Sequence, residues 1–328
     1  MSSNETNRTN ATVYYSHDYN TVYYIVSTFE IFLVVTGTLL NAWFLVAILR
    51  SSQMRSSLRN KIICNSLVLN LAETLIYLPV FLTVYMSDMS YTCTLYSVLS
   101  NLRLVQDFIG NWLLVMLIIV FIAQIQDFNP RMKLTPRAVT VSTIGLLVFP
   151  WISSIVVVSI IIQEFYFRFR YARVGCLYAT YGALEVLKSV DTAVPIILAV
   201  ILLVLSAFLK YRRLHRGHSS ESIQIELISR DLKIDNTFVY VAAVLVATTC
   251  DILQFINYVN RRAFSHYGET TWMILILLAR FISDARVILM PLPWLLLTDV
   301  RQTIKTWRPW YRPADGIDLT VTYSKEDN

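Results

Sequence analysis

The sequence predicts an all-α, integral membrane bundle of seven helices. Three observations carry that prediction. Of the 328 residues, 55% are hydrophobic and only 15% are charged. Soluble domains hold about 25% charged residues and keep a polar shell. The mean hydropathy is +0.53, and the apolar residues fall in long unbroken blocks with no alternation. A bilayer core of ~30 Å needs ~20 apolar residues per helical crossing, and barrel strands alternate.

The blocks are taken in chain order. Residues 22–49 form the first and follow a polar stretch of the wrong composition for a cleavable signal peptide, so this block is expected to act as the signal anchor. Residues 62–84 form the second. Residues 96–125 form the third and longest, with Arg103 and Asp107 near its start. The others are 139–161, 190–209, 237–258 and 272–297. The expected organisation is a glycosylated outer tail at 1–21, the helical domain with a short surface helix at 22–307, and a cytoplasmic tail at 308–328.

Basic residues set the orientation, because cytoplasmic loops accumulate Lys and Arg. With the N-terminus outside and the C-terminus cytoplasmic, the inner segments hold 18 of the 28 Lys and Arg residues and the outer segments seven. The net charge of +6 therefore reads as a topology signal and implies no nucleic-acid partner. Asn4, Asn7 and Asn10 each begin an Asn-x-Thr sequon, which suits a lumenal tail. Cys64 and Cys250 lie inside blocks and read as inert core thiols. Cys93 and Cys176 both face the oxidising side and are expected to form a disulfide, the alternative being two free thiols.

Local motifs then resemble those of rhodopsin-like G-protein-coupled receptors over about residues 23–307. Gly37-Thr38-Leu39-Leu40-Asn41 resembles the first-helix Gly-Asn signature, with Asn41 at its asparagine. The run Asn65 to Asn70 resembles Asn-Leu-Ala-x-Ala-Asp of the second helix, followed by Pro79, and Pro195 stands where the fifth helix keeps a proline. Met290-Pro291-Leu292-Pro293-Trp294 resembles Asn-Pro-x-x-Tyr, and Asp299-Val300-Arg301 resembles the opening of the surface helix. The departures are Asn70 for the second-helix aspartate, Met290 and Trp294 in the seventh-helix motif, and Asp251 where a tryptophan is expected. Counting back from Pro130, Ala123 occupies the place of the third-helix arginine. The resemblance implies a plasma-membrane receptor that transduces an extracellular ligand, small molecule or peptide, to a heterotrimeric G protein and arrestin. The missing Asp-Arg-Tyr supports an alternative, a non-signalling decoy or partner subunit of the same fold. Charges inside the blocks also suit a transporter or channel, although an odd helix count without internal repeats argues against inverted repeats.

Charges at bilayer depth are functional candidates, because each costs several kcal/mol unless paired or hydrated. Glu30, Glu73, Asp107, Asp251, Arg280, Asp284 and Arg286 qualify. Arg280 and Asp284 are four apart and share a helix face. On the receptor template Arg286 faces Asp251 and Asn70, and an Asp251–Arg286 pair is expected in place of the family's sodium site and tryptophan switch. Asn41, Asn70, Asp251, Arg286, Pro291 and Trp294 make up this core set. Glu73, Asp107, Arg280 and Asp284 line the outer half, either as an ionic ligand pocket or as a self-satisfied polar network.

The loops add less. Tyr14, Tyr15, Asp18 and Tyr19 resemble the tails of peptide receptors. The segment 163–183 alternates aromatic and basic residues, as a strand of a hairpin lid, an acidic-peptide contact or a lipid-interface belt would. Ser219, Ser220 and Ser222 flank Glu221 as a phosphorylation site. Membrane lipid is the remaining partner. Enzyme motifs, a cofactor and metal-spaced His/Cys clusters are not expected.

Overall fold

The computed structural model describes residues 5–86, 89–126, 135–169, 182–216, 235–259 and 269–306. Among the described residues every regular element is helical. Helix α1 spans Glu5–Arg50, a short α2 spans Ser52–Ser56, and α3 spans Leu58–Ala72. One π-helical turn, Glu73–Tyr77, continues α3 into α4, Leu78–Met86. Then come α5 (Met89–Ile125), α6 (Pro136–Phe169), α7 (Gly182–Arg216) and α8 (Thr237–Val259). Helix α9 (Glu269–Asp284), α10 (Arg286–Leu289), a 3₁₀ turn (Leu292–Leu296) and α11 (Thr298–Thr306) complete the order.

Helix α5 is the axis of the bundle. It touches α3, α4, α6, α7 and α8, while α1 packs on α3, α7 on α8, α8 on α9, and α10 closes back on α1. Two thirds of Val105–Ile125 is buried, against 11% of Arg137–Val157 on the peripheral α6. The outer face is apolar, with Val141, Ile144, Ile152 and Ile155 on α6 and Ile197, Ile201, Val204 and Phe208 on α7 exposed. Charged residues such as Glu30, Asp284 and Arg286 lie inside. That distribution inverts the soluble one and suits a lipid solvent. Among the described residues, five helices are long and apolar enough to cross a membrane, or six if Leu277–Leu296 and Thr298–Ile304, bent by 105°, are one broken span. Thr237–Leu253 is a shorter apolar helix. The chain is a multi-pass helical membrane bundle.

At three places the structure departs from the blocks read along the chain. The polar segment ahead of the first block is helical from Glu5, so α1 runs 46 residues without a break. Polar side chains do not prevent this, because none of the residues from Glu5 to Thr21 is Gly or Pro. Residues 163–169 are the end of α6, so Phe165, Tyr166 and Phe167 lie on a helix and not on a strand. A seven-residue alternation attached to a long helix is extended by helix propagation, which adds one hydrogen bond per residue. The seventh apolar block is not one helix but breaks at Ala285 and again at Pro291. Asn4, Cys176 and the segment 217–234 lie outside the described residues, and the side chains of Asn7, Asn10 and Cys93 are likewise not described.

The break at Pro291 explains Asn41. Proline has no N–H for the carbonyl four residues back, which is that of Val287. Asn41 Nδ2 donates to Val287 O at 2.8 Å and to Gly37 O at 2.7 Å. Asn70 Nδ2 in turn donates to Asn41 Oδ1 at 2.9 Å. Gly37 permits the approach, because a Cβ there would stand 2.8 Å from Thr74 Cγ2 and 3.1 Å from Val287 Cγ2. Replacing Asn41 by Ala strands a buried carbonyl and the Asn70 amide. The unfolding free energy in nanodiscs is expected to fall by about 1–3 kcal/mol, and an unchanged melting temperature counts against this role.

Candidate functional site: a buried ionic chain

The interior charges meet at two levels. At the first, Glu30 of α1, Arg103 of α5, and Arg280 and Asp284 of α9 form one cluster. Arg280 Nε lies 3.3 Å from Glu30 Oε1 and 3.2 Å from Asp284 Oδ2. Arg103 Nη1 contacts Asp284 Oδ1, and its Nη2 donates to Ser283 Oγ at 3.0 Å. Asp107 stands one turn along α5, with Oδ2 3.9 Å from Arg103 Nε. Aromatic rings cover the cations: Arg280 Cζ lies 3.3 Å from the Phe81 ring centre and Arg103 Cζ 5.2 Å from that of Tyr77. Guanidinium groups over ring faces gain further stabilisation once desolvated.

At the second level Arg286 of α10 reaches Asp251 of α8. Its Nη1 lies 3.0 and 3.2 Å from the two Asp251 oxygens, and its Nη2 donates to Asn111 Oδ1 at 2.7 Å. Asn111 Nδ2 donates to Asp251 Oδ2 at 3.1 Å, so one amide of α5 satisfies both ions. The guanidinium passes over Gly110, where a Cβ would stand 2.9 Å from Arg286 Nη2. Between the levels a small cavity is lined by Asn70, Glu73, Asp107, Gly110, Arg286 and Met290. Glu73 enters it from the π turn and accepts a hydrogen bond from Gln106 Nε2 at 2.6 Å. Such a turn inserts one residue and rotates its neighbours inward, a device frequent at functional sites.

The pair expected on the receptor template, Asp251 with Arg286, is therefore brought together, as are Arg280 and Asp284, expected from their four-residue spacing. Asn70 shares the cavity with Arg286 but hydrogen-bonds Asn41. Of the four outer candidates, Glu73 and Asp107 line the small cavity between the levels, and Arg280 and Asp284 lie in the first cluster. Asp107, Arg280 and Asp284 belong to one ionic network, in which Glu30 Oε2 and Arg280 Nη2 are buried without a hydrogen-bond partner. Trp294 is buried in the 3₁₀ turn at 1% exposure, within the apolar core. Among the described residues no group of His, Cys, Asp and Glu is placed to hold a metal ion.

Sequence reasoning missed Gln106 and Asn111, named Glu30 only as a general candidate among the buried charges, and gave Arg103 no site role. The signal was present: Arg103, Gln106, Asp107, Gly110 and Asn111 recur at the three- and four-residue intervals of one helix face. A third cluster was also missed, because its members lie on separate stretches of the sequence. Arg59 Nη1 contacts Asp235 and its Nη2 contacts Asp299, while Tyr240 donates to Asp235 Oδ2 at 2.8 Å. Elsewhere Trp151 Nε1 donates to Asn65 Oδ1 at 3.1 Å and ties α6 to α3.

Comparison with protein-family models and with curated proteins finds no match for this chain.

Two outcomes follow from the Arg286 geometry. Arg286→Ala leaves Asp251 buried and unpaired, which typically costs about 3–5 kcal/mol, so unfolding in nanodiscs shifts down by that order. The double variant Asp251→Leu with Arg286→Met loses less, because no uncompensated charge remains. Equal losses in both proteins contradict the pairing. Gly110→Val forces the guanidinium off its path and lowers stability similarly, whereas Gly145→Ala, at a site with open space around it, leaves melting unchanged.

Proposed function

We propose that this chain is a plasma-membrane receptor of rhodopsin-like architecture, with seven membrane crossings, the N-terminus outside and the C-terminus in the cytoplasm. It transduces an extracellular ligand signal to a heterotrimeric G protein, with arrestin as a second cytoplasmic partner. The observation that carries this reading is the ionic chain across the bundle. Glu30, Arg103, Arg280 and Asp284 join α1, α5 and α9, and Arg286, Asp251 and Asn111 join α10, α8 and α5. Charges this deep are retained against a desolvation cost of several kcal/mol each, and they link the helices whose relative positions a ligand would have to change. The Asn41–Val287 bond at the Pro291 break supports the same architecture.

In this reading the ligand carries an ionic group. Entry into the first cluster requires exchange of an internal partner of Arg280 or Asp284, and that exchange couples binding to helix displacement. A ligand shifts a conformational equilibrium only by its differential affinity for the two states, and the internal ion pairs supply the difference. Binding residues are Arg280, Asp284 and Asp107, with Glu73 beneath them. The Ala123 position favours one competing reading, a receptor-fold protein that takes up ligand without signalling.

Recruitment of G protein and arrestin to the chain in intact cells, read by proximity luminescence across a panel of charged small molecules and peptides, tests this. Ligand-dependent recruitment is expected, with at least a tenfold loss of ligand potency in Arg280→Gln at matched surface expression, a change of roughly 1.4 kcal/mol. Saturable ligand binding with no recruitment supports the non-signalling reading. Tag accessibility in intact cells is expected to show the N-terminus outside and the C-terminus inside; both ends on one side would overturn the architecture.

A further inference from the structure

The charges of the two ionic levels do not balance. Among the described residues, the levels and the cavity between them hold five carboxylates, those of Glu30, Glu73, Asp107, Asp251 and Asp284. They hold three guanidiniums, those of Arg103, Arg280 and Arg286. All three cations are engaged. Arg286 holds Asp251, Arg280 divides between Glu30 and Asp284, and Arg103 holds Asp284. Glu73 and Asp107 are left over, and both line the cavity. Asp107 has Arg103 Nε at 3.9 Å. Glu73 is 5% exposed and pairs with no cation among the described residues. One of its oxygens accepts from Gln106 Nε2, which also donates to Leu69 O at 3.3 Å. The other oxygen accepts no hydrogen bond among the described residues.

Ionised together, these two carboxylates are uncompensated negative charges sharing one cavity in an apolar bundle. An acid so placed neutralises by taking up a proton. Other sources of positive charge fit the cavity poorly. It holds about one water molecule, so an organic cation is too large. A metal ion would meet the Arg286 guanidinium, which also lines the cavity. Charged and titratable groups face the site from every side: Arg103 of α5, Asp251 and the Cys250 thiol of α8, Asp284 of α9 and Arg286 of α10. From α3 come only the neutral Ser66 and Asn70. The nearer cation beside Asp107 sorts the two acids and leaves the proton to Glu73.

We propose that the cavity is a proton-binding site, in which Glu73 stands as a neutral carboxylic acid and Asp107 stays ionised beside Arg103. The inference requires neither a ligand nor a signalling partner, and it stands apart from the receptor reading. Its basis is the excess of carboxylates over guanidiniums and the cavity that the two unpaired acids share.

Infrared spectroscopy of the full chain in nanodiscs at neutral pH reads the proton directly. Solvated carboxyl groups are ionised there, so the carbonyl stretch of a protonated acid, shifted in deuterium oxide, reports a buried one. The native protein is expected to show this band, Glu73→Gln to lose it and Asp107→Asn to keep it. Thermal melting gives an independent reading. The folded chain holds a proton that the unfolded chain releases above the ordinary glutamate value of about 4.3. Stability therefore falls as pH rises above that value, by roughly 2 °C in Tm per pH unit. Glu73→Gln, with an N–H in place of the acid's O–H, is expected to flatten this slope and to melt no lower than the native chain at alkaline pH. Exchange of sodium for N-methylglucamine is expected to change neither reading. A native protein without the band, or a Glu73→Gln chain that retains it, overturns the proposal. So does a Glu73→Gln chain that fails to fold, because a neutral acid tolerates its neutral isostere. A band or a melting temperature that follows the sodium concentration replaces the proton with a metal ion and overturns it as well.

Discussion

A guanidinium inside an apolar bundle requires a carboxylate and further hydrogen-bond acceptors, and the position of Arg286 imposes that requirement on three helices at once. It draws Asp251 from α8 and Asn111 from α5, and it demands a glycine at position 110 so that the side chain can cross α5. The break between α9 and α10 sets where Arg286 starts. Pro291 and Asn41 hold the segment beyond it against α1. Removing any of these leaves a charge or a carbonyl in a medium with no water to replace the lost partner.

The first ionic level obeys the same rule with more participants. Asp284 sits between two guanidiniums, and Arg280 divides its Nε between Glu30 and Asp284. Phe81 and Tyr77 close the remaining faces. The result is compact, with internal charges taking the places that an open ionic pocket would leave for a ligand. In the receptor reading, binding is then an exchange of partners, and part of its energy appears as helix movement. The Arg59 cluster repeats this arrangement at the other end of α8, where it joins the starts of three helical segments.

Much of this was legible along the chain. Each apolar block falls on helical structure, because a span must fill the hydrocarbon core, although several helices run well past their blocks. The four-residue interval predicted that Arg280 and Asp284 meet. The Asp251–Arg286 pair followed from the receptor template and from the cost of burying either charge alone. The polar stripe from Arg103 to Asn111 was readable too, but uncharged amides stand out poorly in a hydropathy profile. The helical extension of α1 to Glu5 and of α6 to Phe169 was not readable. Polarity and alternation describe side chains, whereas an established helix propagates through its backbone.

By itself, then, the sequence determined that this is a helical membrane protein, where its apolar segments lie, and which charges have to be buried. Composition and length decide these things, because each follows from the solvent a segment can tolerate. Tertiary structure decided which charges pair. Glu30 and Arg280 are 250 residues apart, and Arg59 and Asp299 are 240 apart. No local interval encodes such contacts. They arise where helices of different register cross, and the rotation of each helix, adjusted by the Glu73–Tyr77 turn and the Pro291 break, decides which side chains face one another.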